Sequence, residues 1–286
     1  MNTDNWQTGL KLLHTPLWPL TRLCLMLYLA SPYETWEGLL KALPEGLETD
    51  EVIYETPARR LTAIKWPAPW YDTLKHGQNT QGLHQVVLNE RNEPLNVFSA
   101  VLCLMKQHVM QTELETINSL FCSSMDCSLC CEGPKAAAVQ EFFEIPLQPE
   151  ELSLFKLKAI ETPFRGDFDP YSADTFQIDG KPFYLLPPAV YHWRHGYSLI
   201  LTKGALCPHL SANKRCNIYE KRPDVCKRPQ IFAYVIEQQP DRSDILMERN
   251  TLLAITDCPY VRLLEKELER YAVLNEVTLL LKPNKA

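Results

Sequence analysis

Apolar residues recur at helical spacing in several parts of this chain of 286 residues. Near the N-terminus the spacing predicts three helices, over residues 10–13, 20–29 and 36–43. A longer helix is predicted to begin near Asn92, which would cap it with Pro94 in the first turn, and to run directly to Cys122. A last helix is predicted over residues 261–281.

Runs of apolar and β-prone residues predict strands as well. They lie at residues 142–147, 183–186, 197–202 and 231–236, and residues 55–65 are predicted to form a strand pair. The remaining pattern predicts a helix over residues 148–160, short helical turns over 215–228, and loops at 66–70, 77–82 and 162–182.

This mixture of elements predicts an α+β fold, and the cysteines divide the chain into two regions. Residues 1–119 contain only Cys24 and Cys103, which fall on apolar helical faces and are expected to be small buried hydrophobes. This mainly helical region has no assigned role. Residues 120–286 hold the other eight cysteines and are predicted to form a metal-binding module of short strands, loops and helices with a C-terminal helix.

Composition and charge remove several classes of function. The net charge of −6 argues against a nucleic-acid binder, because that class is usually basic. The most apolar run, residues 17–30, is interrupted by Pro19 and Arg22 and is too short to span a bilayer. The N-terminus has no signal-peptide pattern, so we expect a cytoplasmic protein without a membrane partner. Its partner, a protein or a small molecule, is not identified by the sequence.

The eight clustered cysteines carry the candidate chemistry. Because cytosolic thiols stay reduced, such a cluster indicates metal or redox chemistry rather than disulfides. Thiolates are soft ligands that suit Zn²⁺ and Fe–S clusters. One four-thiolate centre needs four of the eight, and all eight could serve two centres. The predicted ligands are Cys122, Cys127, Cys130, Cys131, Cys207, Cys216, Cys226 and Cys258.

The adjacent pair Cys130 and Cys131 restricts how these ligands can be shared. Neighbouring Cα atoms are about 3.8 Å apart, which is less than the usual separation in an unstrained disulfide. Neighbouring side chains also diverge in extended backbone. The two sulfurs therefore fit poorly on one metal ion. They fit better as ligands to two irons or centres, or as one ligand with a supporting thiol.

A basic segment lies between Cys207 and Arg228. It contains two acidic residues, Glu220 and Asp224, and six basic residues: Lys214, Arg215, Lys221, Arg222, Lys227 and Arg228. The excess of positive charge would offset the negative charge of a four-thiolate centre. The alternative interpretation is a basic loop that is simply exposed to solvent.

Two residues of that segment are predicted to bind the cofactor. Tyr219 would pack beneath the metal loop. Arg222 would pair with Glu220, donate to cluster sulfurs, or clamp a substrate anion.

The histidines indicate a functional role less clearly than the cysteines do. His209, two residues from Cys207, is an alternative ligand in a Cys3His zinc site. His192 and His195 could be ligands or acid–base groups, but a hydrogen-bonded loop pair is the simpler interpretation. No catalytic residue is identified.

At this point the cysteine motifs resemble a known family. The segment from Cys122 to Cys131, together with Cys207-Pro-His-Leu210, Cys216-Asn-Ile-Tyr-Glu220 and Lys221-Arg-Pro-Asp-Val-Cys226-Lys227, is similar to the YkgJ-like cysteine-cluster family. This family is also described as the CxxCxxCC, or zinc- or iron-chelating, domain. The resemblance covers roughly residues 120–260, and Cys258-Pro matches a late Cys-Pro of such sequences.

This chain departs from the family pattern at two points. Its first gap has four residues instead of two, and Lys227-Arg228 precedes a proline where an aromatic residue often stands. The resemblance implies metal chelation. Relatives include a flagellin lysine N-methylase, so it also allows a methyl-transfer enzyme.

Two functional hypotheses follow. The first is a protein with an Fe–S cluster, 4Fe-4S by preference, that acts as an oxidoreductase or a modifying enzyme of the methyl-transfer type. The second is a structural Zn²⁺ module in an adaptor protein whose N-terminal region recognises a partner. A metal-handling or storage protein is a third alternative.

Overall fold

A computed structural model describes most of the chain. The described residues are 3–49, 51–64, 70, 74–75, 85–125, 127–138, 140–157, 159–162, 176–193, 196–227, 230–239 and 242–283. They form helices and several small sheets, which confirms the α+β class. None of the helices in these ranges combines the length and apolar character that crossing a membrane requires.

The elements are numbered in chain order. Helices in the described ranges are α1 (Thr3–His14), α2 (Leu17–Ala30), α3 (Trp36–Ala42), α4 (Pro57–Thr62), α5 (Val97–Ser124), α6 (Leu152–Phe155), α7 (Asp224–Lys227), α8 (Pro259–Leu263) and α9 (Glu265–Leu274). Strands are β1 (Gly46–Glu48), β2 (Ile53–Glu55), β3 (Val86–Leu88), β4 (Phe142–Leu147), β5 (Ala159–Glu161), β6 (Gln177–Ile178), β7 (Lys181–Pro182), β8 (Ala189–Trp193), β9 (Gly196–Thr202), β10 (Ile231–Gln239), β11 (Arg242–Ile255) and β12 (Thr278–Lys282).

The chain divides into two compact units. The cysteine-rich unit contains residues 122–229 together with residue 1 and residues 283–286. The flanking unit contains residues 2–121 and 230–282. This grouping differs from the sequence-based division into residues 1–119 and 120–286, because residues 230–282 join the N-terminal part of the chain. The reason is strand pairing, since β3 and β12 both pair with β11.

In the flanking unit, β11 is the central strand of a four-stranded sheet. It pairs with β10 antiparallel and with β12 and β3 parallel. Helices of this unit bury apolar side chains such as Leu20, Leu25, Val101, Met105 and Leu268.

A buried polar contact in the flanking unit joins four helices. Glu113 of α5 accepts hydrogen bonds from the backbone N–H of Leu17 at 3.1 Å and from the hydroxyl of Tyr271 at 2.9 Å. Arg60 of α4 lies 3.5 Å from the same carboxylate. Burial raises the pKa of Glu113 to about 7, although these three partners lower it.

The cysteine-rich unit is built on a second four-stranded sheet with the order β4-β9-β8-β5. Because side chains alternate along a strand, its two faces carry different clusters. Phe142, Phe183, Tyr191, Trp193 and Ile200 form one cluster.

The opposite face of this sheet supports the cysteines. It carries a second cluster whose buried members are Ile145, Leu147, Phe155, Val190, Leu199 and Leu201. Cys207 and Cys226 pack against this cluster, so the sheet supplies an apolar base beneath part of the cysteine cluster.

Several local predictions are confirmed. The three N-terminal helices form as α1, α2 and α3, and the strands at 142–147 and 197–202 form as β4 and β9. The strand predicted at 231–236 is the first part of β10, and α5 does reach Cys122.

The strand pair predicted at residues 55–65 is wrong. The strand β2 ends at Glu55, and α4 begins at Pro57 because a proline in the first turn costs no hydrogen bond. The start of the long helix is also wrong. Asn92 has a φ of 61° in a turn, and Asn96 instead accepts the hydrogen bond from the N–H of Ser99 at 2.9 Å.

Three further elements end or fold differently from the prediction. The last helix stops at Leu274, and residues 278–282 form β12 instead. The helix predicted at 148–160 ends at Phe155, since Lys156 has a φ of 49°. Residues 183–185 form a 3₁₀ turn rather than a strand. The predicted loop at 77–82, most of that at 66–70 and residues 163–175 lie outside the described residues.

Candidate metal centre

The cysteine-rich unit contains seven of the eight predicted ligands. Cys122 lies near the end of α5, and Cys127 follows in the next loop. Cys130 and Cys131 belong to a 3₁₀ turn over Leu129–Cys131. The later three are Cys207 and Cys216 in the segment after β9, and Cys226 in α7. None of these seven forms a disulfide bond.

Backbone pairing joins the early cysteines to the later ones. The N–H of Cys207 donates to the carbonyl of Cys131 at 2.8 Å. Glu132 forms an antiparallel bridge with Leu206, and the N–H of Gly133 donates to the carbonyl of Ala205 at 2.7 Å. The adjacent cysteine pair is therefore fixed beside Cys207 by hydrogen bonds that require no metal.

Gly133 makes this close approach sterically feasible. A Cβ atom at Gly133 would lie 1.9 Å from the carbonyl oxygen of Thr202, at the end of β9. Real Cβ contacts are essentially never shorter than 3.0 Å, so a side chain there would push the two segments apart. Gly133 was not among the predicted site residues, because only the approach of Thr202 gives it this role.

A tight turn brings Cys216 back towards Cys207. Leu210 and Cys216 form an antiparallel bridge, and the N–H of Asn217 donates to the carbonyl of His209 at 2.8 Å.

The helix that carries Cys226 is held in a similar way. The N–H of Asp224 at its start donates to the carboxylate of Glu151 at 2.7 Å. This bond ties α7 to the 3₁₀ turn Pro149–Glu151, which follows β4.

The electrostatics of the thiols show that several sulfurs lie close together. Burial raises the pKa of Cys131 well above its usual range, and Cys207, Cys130, Cys226 and Cys216 raise it further. Burial likewise raises the pKa of Cys226 to about 12, again with contributions from Cys207, Cys130 and Cys216. Since like charges oppose ionisation, these thiols stay protonated unless a cation stabilises their thiolates.

A buried cation lies beside Cys122. Burial raises the pKa of Cys122, whereas the charge of Arg222 and its hydrogen bond to this side chain lower it. Arg222 also lowers the pKa of Cys226. Its guanidinium lies 4.0 Å from the centre of the Tyr219 ring, a cation–π distance. The structure thus places both predicted cofactor-binding residues next to the cysteines, and their role in binding stays a prediction.

The rest of the basic segment is partly neutralised by local ion pairs. Lys214 lies 3.6 Å from Glu132, and Lys227 lies 2.9 Å from Asp224. Arg228 lies outside the described residues.

No group of three or more Cys, His, Asp and Glu side chains among the described residues already has the arrangement of a metal site. The candidate centre is therefore defined by its seven thiols, two of which, those of Cys122 and Cys226, interact with the buried guanidinium of Arg222. Soft thiolates fit zinc and Fe–S clusters, and a positive side chain nearby fits an anionic centre.

The eighth predicted ligand, Cys258, does not belong to the cysteine-rich unit. It is a buried residue of the flanking unit and precedes the first turn of α8. Cys24 and Cys103 are also buried in the flanking unit, on α2 and α5, as predicted. Burial raises their pKa values to about 11 and about 12.

The structure gives two of the histidines other contacts. A ring nitrogen of His209, Nε2, lies 2.8 Å from the carbonyl of Leu154, and the ring packs 5.1 Å from that of Phe155. His192 lies on β8 rather than on a helix, with its Nδ1 atom 2.9 Å from the carboxylate of Glu161. His195 lies outside the described residues.

Comparison with known proteins supports metal binding by this part of the chain. Residues 121–245 match the model of the CxxCxxCC family, described as a putative zinc- or iron-chelating domain. No curated protein and no solved structure matches the chain. The matched segment includes all seven cysteines of the cysteine-rich unit, and the resemblance noted in the sequence is confirmed. Residues 121–245 are therefore similar to the CxxCxxCC family, and this similarity supports metal binding.

Proposed function

We propose that the cysteine-rich unit binds a [4Fe–4S] cluster and that the protein acts as an oxidoreductase or a modifying enzyme that depends on it. The observation that carries this proposal is the convergence of Cys131, Cys207, Cys216 and Cys226. The N–H of Cys207 donates to the carbonyl of Cys131, Cys216 is bridged to Leu210, and the thiols of Cys207, Cys216 and Cys226 contribute to the raised pKa of Cys131. Four thiolates are the ligand set of such a cluster. When bound, the cluster would supply one-electron transfer.

The remaining residues of the unit support an anionic centre. Cys130 would be the supporting thiol of the adjacent pair, because adjacent sulfurs fit poorly on one ion. Arg222 would offset negative charge on the sulfurs, as its effect on the pKa values of Cys122 and Cys226 indicates. Tyr219 would hold the guanidinium in place through its ring. Cys122 and Cys127 would complete a second ligand group or protect the first.

Anaerobic purification followed by iron, sulfide and zinc analysis and an absorption spectrum tests the proposal. We expect iron and sulfide in equal amounts and broad absorption near about 400 nm, typical of thiolate-bound clusters. The substitution Cys226→Ser should remove most of the iron. Its matched control is Cys103→Ser, because Cys103 lies in the flanking unit and contacts Glu248 through its sulfur at 3.5 Å.

A third variant, Cys258→Ser, decides whether the eighth cysteine takes part. Because Cys258 belongs to the flanking unit, we expect this variant to keep its iron. Loss of iron in Cys258→Ser would restore the full eight-cysteine set predicted from the sequence. Equal iron in Cys226→Ser and Cys103→Ser would refute the proposed ligand set.

The second candidate function is a structural zinc module in an adaptor protein. It is favoured by the scarcity of regular structure around the cysteines that follow Cys122, which sit in a 3₁₀ turn, a four-residue helix and loops. Metal ligation commonly stabilises such segments. A colourless protein with stoichiometric zinc after anaerobic purification would establish this alternative and exclude the Fe–S proposal.

A further inference from the structure

Three large apolar side chains are exposed next to cysteines of the candidate centre. Leu129 is 46% exposed, Leu206 is 55% exposed and Val225 is 37% exposed. Each directly precedes a cysteine, and these are Cys130, Cys207 and Cys226. Single exposed apolar residues are common on proteins, but three that flank one cluster of sulfurs form a pattern that calls for an explanation.

The segments that carry these three residues meet within the unit. Leu206 pairs with Glu132, and Cys207 is hydrogen-bonded to Cys131. The thiol of Cys226 interacts with those of Cys207 and Cys130. Because consecutive Cα atoms are only about 3.8 Å apart, the backbone of each apolar residue stays close to that of its cysteine. Cys130 is itself exposed, so the cluster of sulfurs reaches the surface here.

Exposed basic side chains lie in the same segments, although one of them, Lys214, is 3.6 Å from Glu132. Lys135, Lys214, Arg215 and Lys221 are all exposed in the two segments that carry the cysteines. The local charge is therefore positive, whereas the whole chain carries −6. A positive field around a small apolar patch attracts a negatively charged partner and increases its association rate.

We propose that Leu129, Leu206 and Val225, with these exposed basic side chains, form the docking surface for a small acidic protein that carries one electron at a time. The inference rests on the proposed Fe–S function. The apolar side chains would hold the carrier near the exposed Cys130, and the basic side chains would orient it. A bound cluster would accept one electron from the reduced carrier, which would be oxidised by one electron, and no covalent bond would form or break.

Chemistry favours a protein over a nucleic acid as the occupant. Single-stranded nucleic acids bind by stacking on aromatic side chains, whereas this patch is aliphatic. Its small size fits the brief contacts of electron-transfer partners, which bury less surface than stable complexes.

The test uses an acidic flavodoxin as the probe. Binding to the anaerobically purified protein is measured by calorimetry, and electron transfer from the reduced flavodoxin is followed by stopped-flow absorption at low and high salt. The apolar variant combines Leu129→Ser, Leu206→Ser and Val225→Ser, with the exposed Leu185→Ser of the same unit as its control. The charge variant combines Lys135→Glu and Lys221→Glu, with Lys181→Glu as its control.

We expect the charge variant to slow electron transfer about tenfold at low salt and to approach the parent rate at high salt. The apolar variant should weaken flavodoxin binding about fivefold or more at both salt concentrations, and the controls should match the parent protein. Iron content and reduction by dithionite, which needs no docking surface, should be the same in all variants.

Other outcomes distinguish failure of the docking surface from failure of the Fe–S proposal. If dithionite reduces the parent protein but flavodoxin binds all variants equally, the docking surface is refuted and the Fe–S proposal stands. If the anaerobically purified protein contains no iron and sulfide, the Fe–S proposal fails, and calorimetry alone then decides whether the surface binds an acidic protein. Patch-dependent binding of anionic vesicles or single-stranded DNA, without binding of flavodoxin, would overturn the inference in favour of those partners.

Discussion

The substitution Gly133→Ala tests how the early and late cysteines are held together. The added methyl group would start 1.9 Å from the carbonyl oxygen of Thr202 and 3.3 Å from that of Leu201. Thr202 and Leu201 belong to β9, which is paired on both sides by β4 and β8 and cannot shift easily. The segment after the cysteine pair must therefore move away by about 1.1 Å to reach a 3.0 Å contact.

This displacement breaks contacts that the structure measures directly. The hydrogen bonds from Gly133 to Ala205 and from Cys207 to Cys131 start at 2.7 Å and 2.8 Å, so moving one segment by that amount takes both beyond hydrogen-bonding distance. Each lost bond costs about 1 kcal/mol, and steric strain adds about 1–3 kcal/mol. We expect Gly133→Ala to destabilise the cysteine-rich unit by about 3–5 kcal/mol and to lower its metal content.

Metal-to-protein ratio and hydrogen–deuterium exchange of residues 131–134 and 202–207 measure both effects. The control is Gly46→Ala in β1, because a Cβ atom at Gly46 meets no atom within 4 Å. We expect that control to keep parental metal content and exchange rates. Parental metal content and exchange protection in Gly133→Ala would show that the close approach of the two segments does not hold the cysteines together.

Two further predictions concern titration and ligand identity. Burial raises the pKa of Glu113 to about 7, so the folded protein holds this proton more tightly than the unfolded chain, and stability should fall as the pH rises from about 4.5 to about 7. Urea unfolding should show that Glu113→Gln removes about 3 kcal/mol of this pH dependence, and identical pH profiles would contradict the assignment. His209→Gln should keep its metal content, because a glutamine can still donate to the carbonyl of Leu154. Loss of metal in this variant would favour a Cys3His site.

The sequence correctly predicted those elements in which the spacing of apolar residues fits either a helix or a strand, but not both. The helices α1 to α3 and the strand β4 follow from their own residues in this way. The segment Thr278–Lys282 does not, because consecutive leucines fit a helix and a strand equally well. Its parallel pairing with β11, where Leu252 faces Leu279, settles the choice. That pairing is a contact between distant residues and leaves no local signal.

In the candidate site, likewise, some features could be predicted from the sequence and others depend on the fold. The placement of Arg222 and Tyr219 beside the sulfurs agrees with their position inside the cysteine motif. The assignment of Cys258 to the flanking unit and the clearance at Gly133 could not be predicted, since both depend on which strands pair. The structural role of such a glycine depends on the neighbouring segment that approaches it.

The sequence by itself indicated the chemistry of this protein. Its clustered cysteines favour soft thiolate ligation, and their motif resembles a family of zinc- or iron-chelating domains whose model matches residues 121–245. Only the tertiary structure decided which of these cysteines meet. Cys131 and Cys207 are 76 residues apart in the chain and are joined by a backbone hydrogen bond. Ligand type is a property of single residues, whereas convergence depends on long-range backbone pairing that no local periodicity encodes.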